Sequence, residues 1–206
     1  EIVSDLVKVP SVSPFGRNET ERRERFERCR EVLAYLEEFL QKQGAQTEQV
    51  VFEGGHAKWW YPVPNLYAEL TIGDRKAAGH KFLCYMGHID VVPVGEEKLW
   101  RRPPFSGQVD EGFVWGRGAT DMKAGKGDGV NLTIGTLITG DEEWAAVNGS
   151  DNVLAWMKAN GKNRDAFIVG EPSSRDYLGT HVKTGRRGSL VGYLEAKGTQ
   201  GHGAYQ

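Results

Sequence analysis

Four short stretches decide the reading of this chain: GHIDVVP at residues 87–93, GRGATDMK at 116–123, DEE at 141–143 and GEP at 170–172. Each follows a short apolar run that reads as a strand, at 82–86, 113–115, 132–139 and 166–169 in turn. One histidine and several carboxylates are therefore delivered from the ends of separate strands. In open α/β sheets, ligands bind in the crevice outside the carboxyl ends of the strands. A histidine and several carboxylates converging there form a metal-site pattern, and more carboxylates than one cation needs point to two cations.

Each stretch has a plainer reading when taken alone. His88 and Asp90 are two apart, a spacing that puts both on one face of a strand. They could be a buried structural pair, or a metal ligand with the carboxylate that orients it. Asp121 follows Gly116 and Gly118, whose freedom lets an irregular backbone aim one carboxylate inward, where it could bridge two cations. It could equally cap a helix. In an extended segment, the adjacent Glu142 and Glu143 point in opposite directions, so that one can bind metal while the other serves as general base toward substrate. DEE is also a common acidic turn. Glu171 ends a strand, with Pro172 fixing the next φ. The four in this order, each at a strand end, outweigh any one of them.

Outward from these motifs, the chain alternates helices and strands, which predicts a layered α/β domain. A short helix over residues 1–9 ends at Pro10, and Pro14 keeps the SVSP segment extended. Asn18 or Thr20 caps a long helix that Gly44 stops. Its run ERRERFERCRE reads as a solvated face laced with ion pairs. Residues 49–52, 65–72 and 81–86 read as strands, and a further helix covers 150–160. His56, in a loop rich in Gly, Pro and Trp, reads as a surface histidine. Only eight residues separate Lys123 from the strand at Leu132, and a parallel crossover needs a dozen or more. Either those two strands pair antiparallel or a helix is missing there.

Composition narrows the function classes. A net charge of −2 with 26% charged residues argues against a polyanion binder, so nucleic acid is not an expected partner. No apolar run reaches membrane-spanning length, so no membrane partner is expected. Two cysteines, Cys29 and Cys84, are too few for a disulfide framework, and a cytoplasmic location is expected.

Together, His88-Ile89-Asp90, Asp121-Met122-Lys123, Asp141-Glu142-Glu143 and Gly170-Glu171-Pro172 resemble the di-zinc amidohydrolases that include aminoacylases, acetylornithine deacetylases and carboxypeptidase-G-type enzymes. The connecting text MGHIDVVPVGEEKLWRRPPFSG, VWGRGATDMK, LITGDEEWAAVNGS, FIVGEPSS, KTGRRGSL and GTQGHGAYQ is dense with the same resemblance from Met86 to Tyr205. It implies a three-layer α/β/α catalytic domain over residues 1–178, with a mostly parallel or mixed sheet. Residues 179–206 would begin a smaller α+β lid domain through which the protein dimerises. Two Zn²⁺ ions are implied, with Co²⁺ as a substitute. His88 and Glu171 would bind one, Glu143 the other, and Asp121 would bridge them. Glu142 would be the general base and later the acid, and Asp90 would orient His88. Arg186 or Arg187 would hold a substrate carboxylate, and His202 would reach the partner subunit's site. The reaction implied is hydrolysis of an N-acyl amide on an amino-acid-like small molecule. The family's further zinc-ligand histidine near the C-terminus has no counterpart, and His56, His80 and His181 match no ligand position. The chain is therefore expected to be a fragment or to lack internal segments, and as 206 contiguous residues it would not be a competent two-zinc enzyme. A related deacetylase, aminoacylase or dipeptidase, or an inactive fragment, stays open.

Overall fold

The computed structural model describes residues 2–13, 18–54, 61–121, 132–144, 146–174, 180–185, 188, 192, 194, 195, 197 and 201. The chain opens with two helices, α1 (Ile2–Lys8) and α2 (Glu19–Lys42). Strands β1 (Gln46–Gly54), β2 (Tyr61–Thr71) and β3 (Lys81–His88) follow. Next come β4 (Gln108–Asp110), β5 (Phe113–Trp115) and β6 (Leu132–Thr139), and α3 (Ser150–Ala159) and β7 (Ala166–Val169) complete the order. Asn18 caps α2, its side-chain oxygen accepting the Glu21 N–H at 2.9 Å. Pairs such as Arg28–Glu31 and Lys42–Glu38 lie along the exposed face of α2, as the charge run predicts.

Five strands form one mixed sheet in the order β1-β2-β6-β3-β7. β2 pairs antiparallel with both β1 and β6, whereas β3 pairs parallel with β6 and β7. The expected mixed three-layer fold is present. Because successive side chains on a strand point to opposite faces, Leu66 and Ile138 pack with Leu6 of α1 and with Cys29, Val32 and Leu33 of α2. Their neighbours Tyr67 and Leu137 pack with Cys84 and with Val153 and Met157 of α3 on the other face. Both cysteines are buried and neither is in a disulfide, and burial pushes the Cys84 thiol up to about 12. Among the described residues, no helix is long and apolar enough to cross a membrane.

Two expectations change. β2 begins at Tyr61 rather than Asn65, despite Pro62 and Pro64. Both prolines lie in the part of β2 that pairs only with β1, since pairing with β6 starts at Asn65. A missing N–H is tolerated where one side of the strand carries no ladder. The short link from Lys123 to Leu132 also carries no crossover. β5 pairs with β4 in a separate two-stranded ribbon, and the parallel neighbour of β6 is β3. The connection from β3 to β6 runs over residues 89–131, well beyond a dozen. Residues 122–131 themselves lie outside the described residues.

The chain divides into two compact units, Glu1–Pro172 and Ser173–Gln206. The first holds the sheet and its helices. In the second, the Ser173 hydroxyl donates to the His181 carbonyl at 2.6 Å, and the described residues 180–185 form no strand.

Candidate metal centre

β3, β6 and β7 run parallel, so their carboxyl ends share one edge of the sheet. His88 is the last residue of β3 and pairs with Thr139 at the end of β6. Glu142 and Glu143 lie in the bend just beyond β6, and Glu171 lies just beyond β7. Asp121 arrives from the turn after β5. There Gly116 has φ +150°, and a Cβ on it would sit 2.3 Å from Val7 Cγ1, so only glycine fits this approach. The N-terminal SVSP segment braces the same edge. The buried Ser11 donates its hydroxyl to the Ile89 carbonyl at 2.7 Å, and Val12 bridges Val91. The sequence reading missed this bracing role; Ser flanked by prolines next to a β-branched residue was its signal.

The five residues meet around one imidazole. His88 Nε2 lies 3.3 Å from Asp121 Oδ1, 3.4 Å from Glu171 Oε1 and 3.9 Å from Glu142 Oε2. Two ligand-type groupings result, His88 with Glu142 and Glu171, and His88 with Asp121 and Glu143, each with its ligand atoms within 4.8 Å of one another. His88 Nδ1 is 2.9 Å from the Asp90 backbone carbonyl. A carbonyl can only accept, so Nδ1 carries the proton and Nε2 of the neutral ring presents its lone pair. That lone pair would face three carboxylates. Only a proton or a metal cation placed among them removes the conflict.

Asp90 holds two parts of the centre together. It orients His88 through its main chain, while its carboxylate, 3.6 Å from Nδ1, takes another role. Fully buried, that carboxylate accepts the Glu142 N–H at 3.0 and 3.1 Å and the Glu143 N–H at 3.0 Å. The GHID and DEE segments are thereby locked to each other. The two glutamates lie in a bend, not an extended strand, so both reach the imidazole's surroundings while falling into different groupings.

The electrostatics follow from this crowding. Burial pulls the His88 pKa down, but the adjacent Asp90 and the Glu142 charge outweigh it, and the imidazole is raised to about 9. Burial pushes the Glu142 and Glu143 carboxyls up; the His88 charge pulls each of them down, while neighbouring carboxylates, Glu171 for Glu142 and Asp121 for Glu143, raise them further. A divalent cation fits these residues. His88 Nε2 and Asp121 Oδ1 are buried atoms without hydrogen-bond partners, and imidazole with carboxylates is a donor set suited to Zn²⁺. Of the other residues singled out in the sequence, Arg186, Arg187, His202 and His56 lie outside the described residues. His80 stands apart from the groupings, with Nε2 3.0 Å from the Thr133 hydroxyl.

Fold and site together define an α/β protein with a candidate divalent-cation centre at the carboxyl edge of its sheet. Residues 84–185 match the family model described as peptidase family M20/M25/M40. It is 37% identical over 215 residues to a succinyl-diaminopimelate desuccinylase of Xanthobacter autotrophicus, covering 99% of this chain and 51% of that protein. It is likewise 37% identical over 218 residues to a succinyl-diaminopimelate desuccinylase of Methylocella silvestris, covering 100% of this chain and 50% of that protein. The chain thus spans about half the length of the curated relatives it matches. Among solved structures, human carnosine dipeptidase 1 superposes with a TM-score of 0.65 at 22% identity, over 82% of this chain and 37% of that one. An M20 family metallo-carboxypeptidase of Sulfolobus solfataricus superposes with a TM-score of 0.58 at 24% identity, over 82% of this chain and 36% of that one. These two likenesses support the fold.

Proposed function

We propose that this chain forms the metal-binding part of a di-zinc amidohydrolase that converts N-succinyl-LL-2,6-diaminopimelate to succinate and LL-2,6-diaminopimelate, a step toward lysine and cell wall. The observation that carries the reaction class is the buried, unpartnered His88 Nε2 facing the carboxylates of Asp121, Glu142 and Glu171. The names of the two relatives support the substrate.

His88 and Glu171 would hold one zinc and Glu143 the other, with Asp121 a ligand to both. When bound, the two ions supply Lewis acidity, which makes water acidic enough to deprotonate near neutral pH and polarises the acyl carbonyl. Glu142 takes the proton from the attacking water. As the C–N bond breaks, it returns that proton to the leaving amine, so the products are a carboxylate and an amine. Asp90 keeps His88 and the two glutamates in register. Arg186 or Arg187 grips a substrate carboxylate as a bidentate guanidinium can, and His202 of one subunit serves the site of its partner. The 1–178 segment is the catalytic domain and 179–206 the start of a lid through which two copies pair in the cytoplasm.

The test is metal analysis with an activity assay. The full-length parent protein should bind zinc and release succinate from the succinylated substrate faster than it releases acetate from N-acetylornithine, whereas Glu171→Ala should lose zinc. Full zinc content in Glu171→Ala removes that residue from the site. Preference for the acetylated substrate replaces the proposed specificity with a deacetylase.

A further inference from the structure

Asp141 opens the DEE run, yet its carboxylate belongs to no ligand grouping. It is fully buried and accepts the Tyr61 hydroxyl at 2.9 Å and the Asn148 backbone N–H at 3.2 Å, both at Oδ2. Asn148 is itself buried and donates its amide to two carbonyls, Gly54 at 3.2 Å and Tyr61 at 2.7 Å. Its own carbonyl accepts from Asn65 Nδ2 at 3.2 Å. Tyr61 and Asn65 have no exposed surface. The backbone here is equally tight. A Cβ on Gly149 would sit 2.2 Å from the Asp141 carbonyl, and one on Gly140 would sit 2.8 Å from the Pro64 carbonyl.

The bend that carries Glu142 and Glu143 is therefore fixed from two sides. Asp90 grips its N–H groups on the side of His88. On the other side, a buried polar hub ties Asp141 to the start of β2 and to the segment entering α3. Buried polar groups are costly unless partnered. Among the described residues, Asp141 Oδ1 and Asn65 Oδ1 have no hydrogen-bond partner, so the hold on the bend comes from the bonds at Asp141 Oδ2 and around the Asn148 amide. A catalytic or metal-binding side chain needs such support, because a displacement of about 1 Å is enough to spoil it.

We propose that Tyr61, Asp141 and Asn148 are positioning residues for Glu142 and Glu143, setting where those carboxylates stand relative to His88. This rests on the metal-centre reading above. The hub touches neither glutamate carboxylate. It acts through the backbone of the bend, and removing it releases the glutamates even where the fold survives.

The experiment is zinc affinity by chelator competition on the purified chain, well below its unfolding temperature, with far-UV circular dichroism to establish folding. The visible spectrum of bound Co²⁺ is a second readout, since it reports ligand geometry. Asp141→Ala should weaken zinc binding by about 10- to 100-fold, the effect usual for groups that orient ligands. Asp141→Asn keeps an amide oxygen that can accept from Tyr61 and Asn148, and should recover most of that loss. Tyr61→Phe deletes one hydroxyl and should weaken binding by about 3- to 10-fold, the span of a single hydrogen bond. Both Asp141→Ala and Tyr61→Phe should alter the Co²⁺ bands. A purely architectural hub would lower the melting temperature and leave affinity and spectrum at parent values, and that result overturns the proposal. If Asp141→Ala does not fold, Tyr61→Phe decides on the same two readouts. Should the parent bind no zinc, the metal-centre reading fails and this inference falls with it. If the parent binds and the folded variants match it, only this inference fails.

Discussion

Replacing Asp90 with alanine separates the two tasks that the structure gives this residue. The carboxylate is fully buried and takes both the Glu142 and Glu143 N–H groups at 3.0–3.1 Å. A hydrogen bond to a charged group contributes about 1.5–3 kcal/mol. Two such bonds bound the loss at about 3–6 kcal/mol. The glutamates are partly exposed, so water can reach a freed N–H, and the lower end, about 3 kcal/mol, is expected. The main-chain carbonyl that binds His88 Nδ1 survives the substitution. Zinc affinity should nonetheless fall by about 10- to 100-fold, because the DEE bend is no longer tied to the GHID segment. Asp90→Asn retains one acceptor oxygen but turns an NH₂ toward the other N–H, and about half the stability loss should remain. Urea unfolding of the metal-free chain reads the first effect and chelator competition the second. An Asp90→Ala variant within about 0.5 kcal/mol of parent, with unchanged zinc affinity, would refute the clamp.

Glu142→Gln should retain zinc but lose about 10²–10⁴-fold in turnover by the full-length protein, whereas Glu143→Ala should lose metal; near-normal kcat in Glu142→Gln sinks the general-base assignment. His88, raised from 6.5 to about 9, makes the metal-free chain pH-sensitive. A group whose folded pKa exceeds its unfolded value stabilises fully below the unfolded pKa and loses that contribution as pH rises through the folded one. The melting temperature of the metal-free chain should therefore fall between pH 6.5 and 9, and the raised Glu142 and Glu143 carboxyls act in the same direction at lower pH. Zinc displaces the His88 proton, so calorimetry at pH 7.5 in buffers of different ionisation heat should show about one proton released; a rise in melting temperature across that window, or no proton release, contradicts the raised imidazole. Far from the centre, Glu69→Ala should cost about 3–5 kcal/mol in urea unfolding, because it strips its carboxylate partner from Arg164, whose side chain is 1% exposed.

The fold was legible wherever a residue's local chemistry matched its tertiary place. Short apolar runs marked β3, β6 and β7, and Asn18 marked the start of α2. The strand-end position of each motif was enough to expect His88, Asp121, Glu142, Glu143 and Glu171 at one edge. What stayed hidden depended on partners distant in sequence. The prolines at 62 and 64 hid the first four residues of β2, because no local pattern says that β6 does not reach that far. The neighbour of β6 was hidden too, since β3 lies more than forty residues upstream. The same holds for Asp90. A two-residue spacing from His88 invites a carboxylate–imidazole pair, but the bonds that form instead reach across fifty residues to the backbone of Glu142 and Glu143. The Tyr61–Asp141–Asn148 hub joins three segments, and a hub of that kind is invisible until they are folded together.

The most direct test of the central claim is an anomalous difference map, recorded at the zinc edge from crystals of this protein grown with Zn²⁺. The account predicts a peak about 2.0–2.1 Å from His88 Nε2, bounded by carboxylate oxygens of Asp121 and Glu171, with a second peak sharing Asp121 and lying against Glu143. Zinc bound elsewhere with His88 Nε2 left uncoordinated, or no zinc at this edge of the sheet, would contradict it.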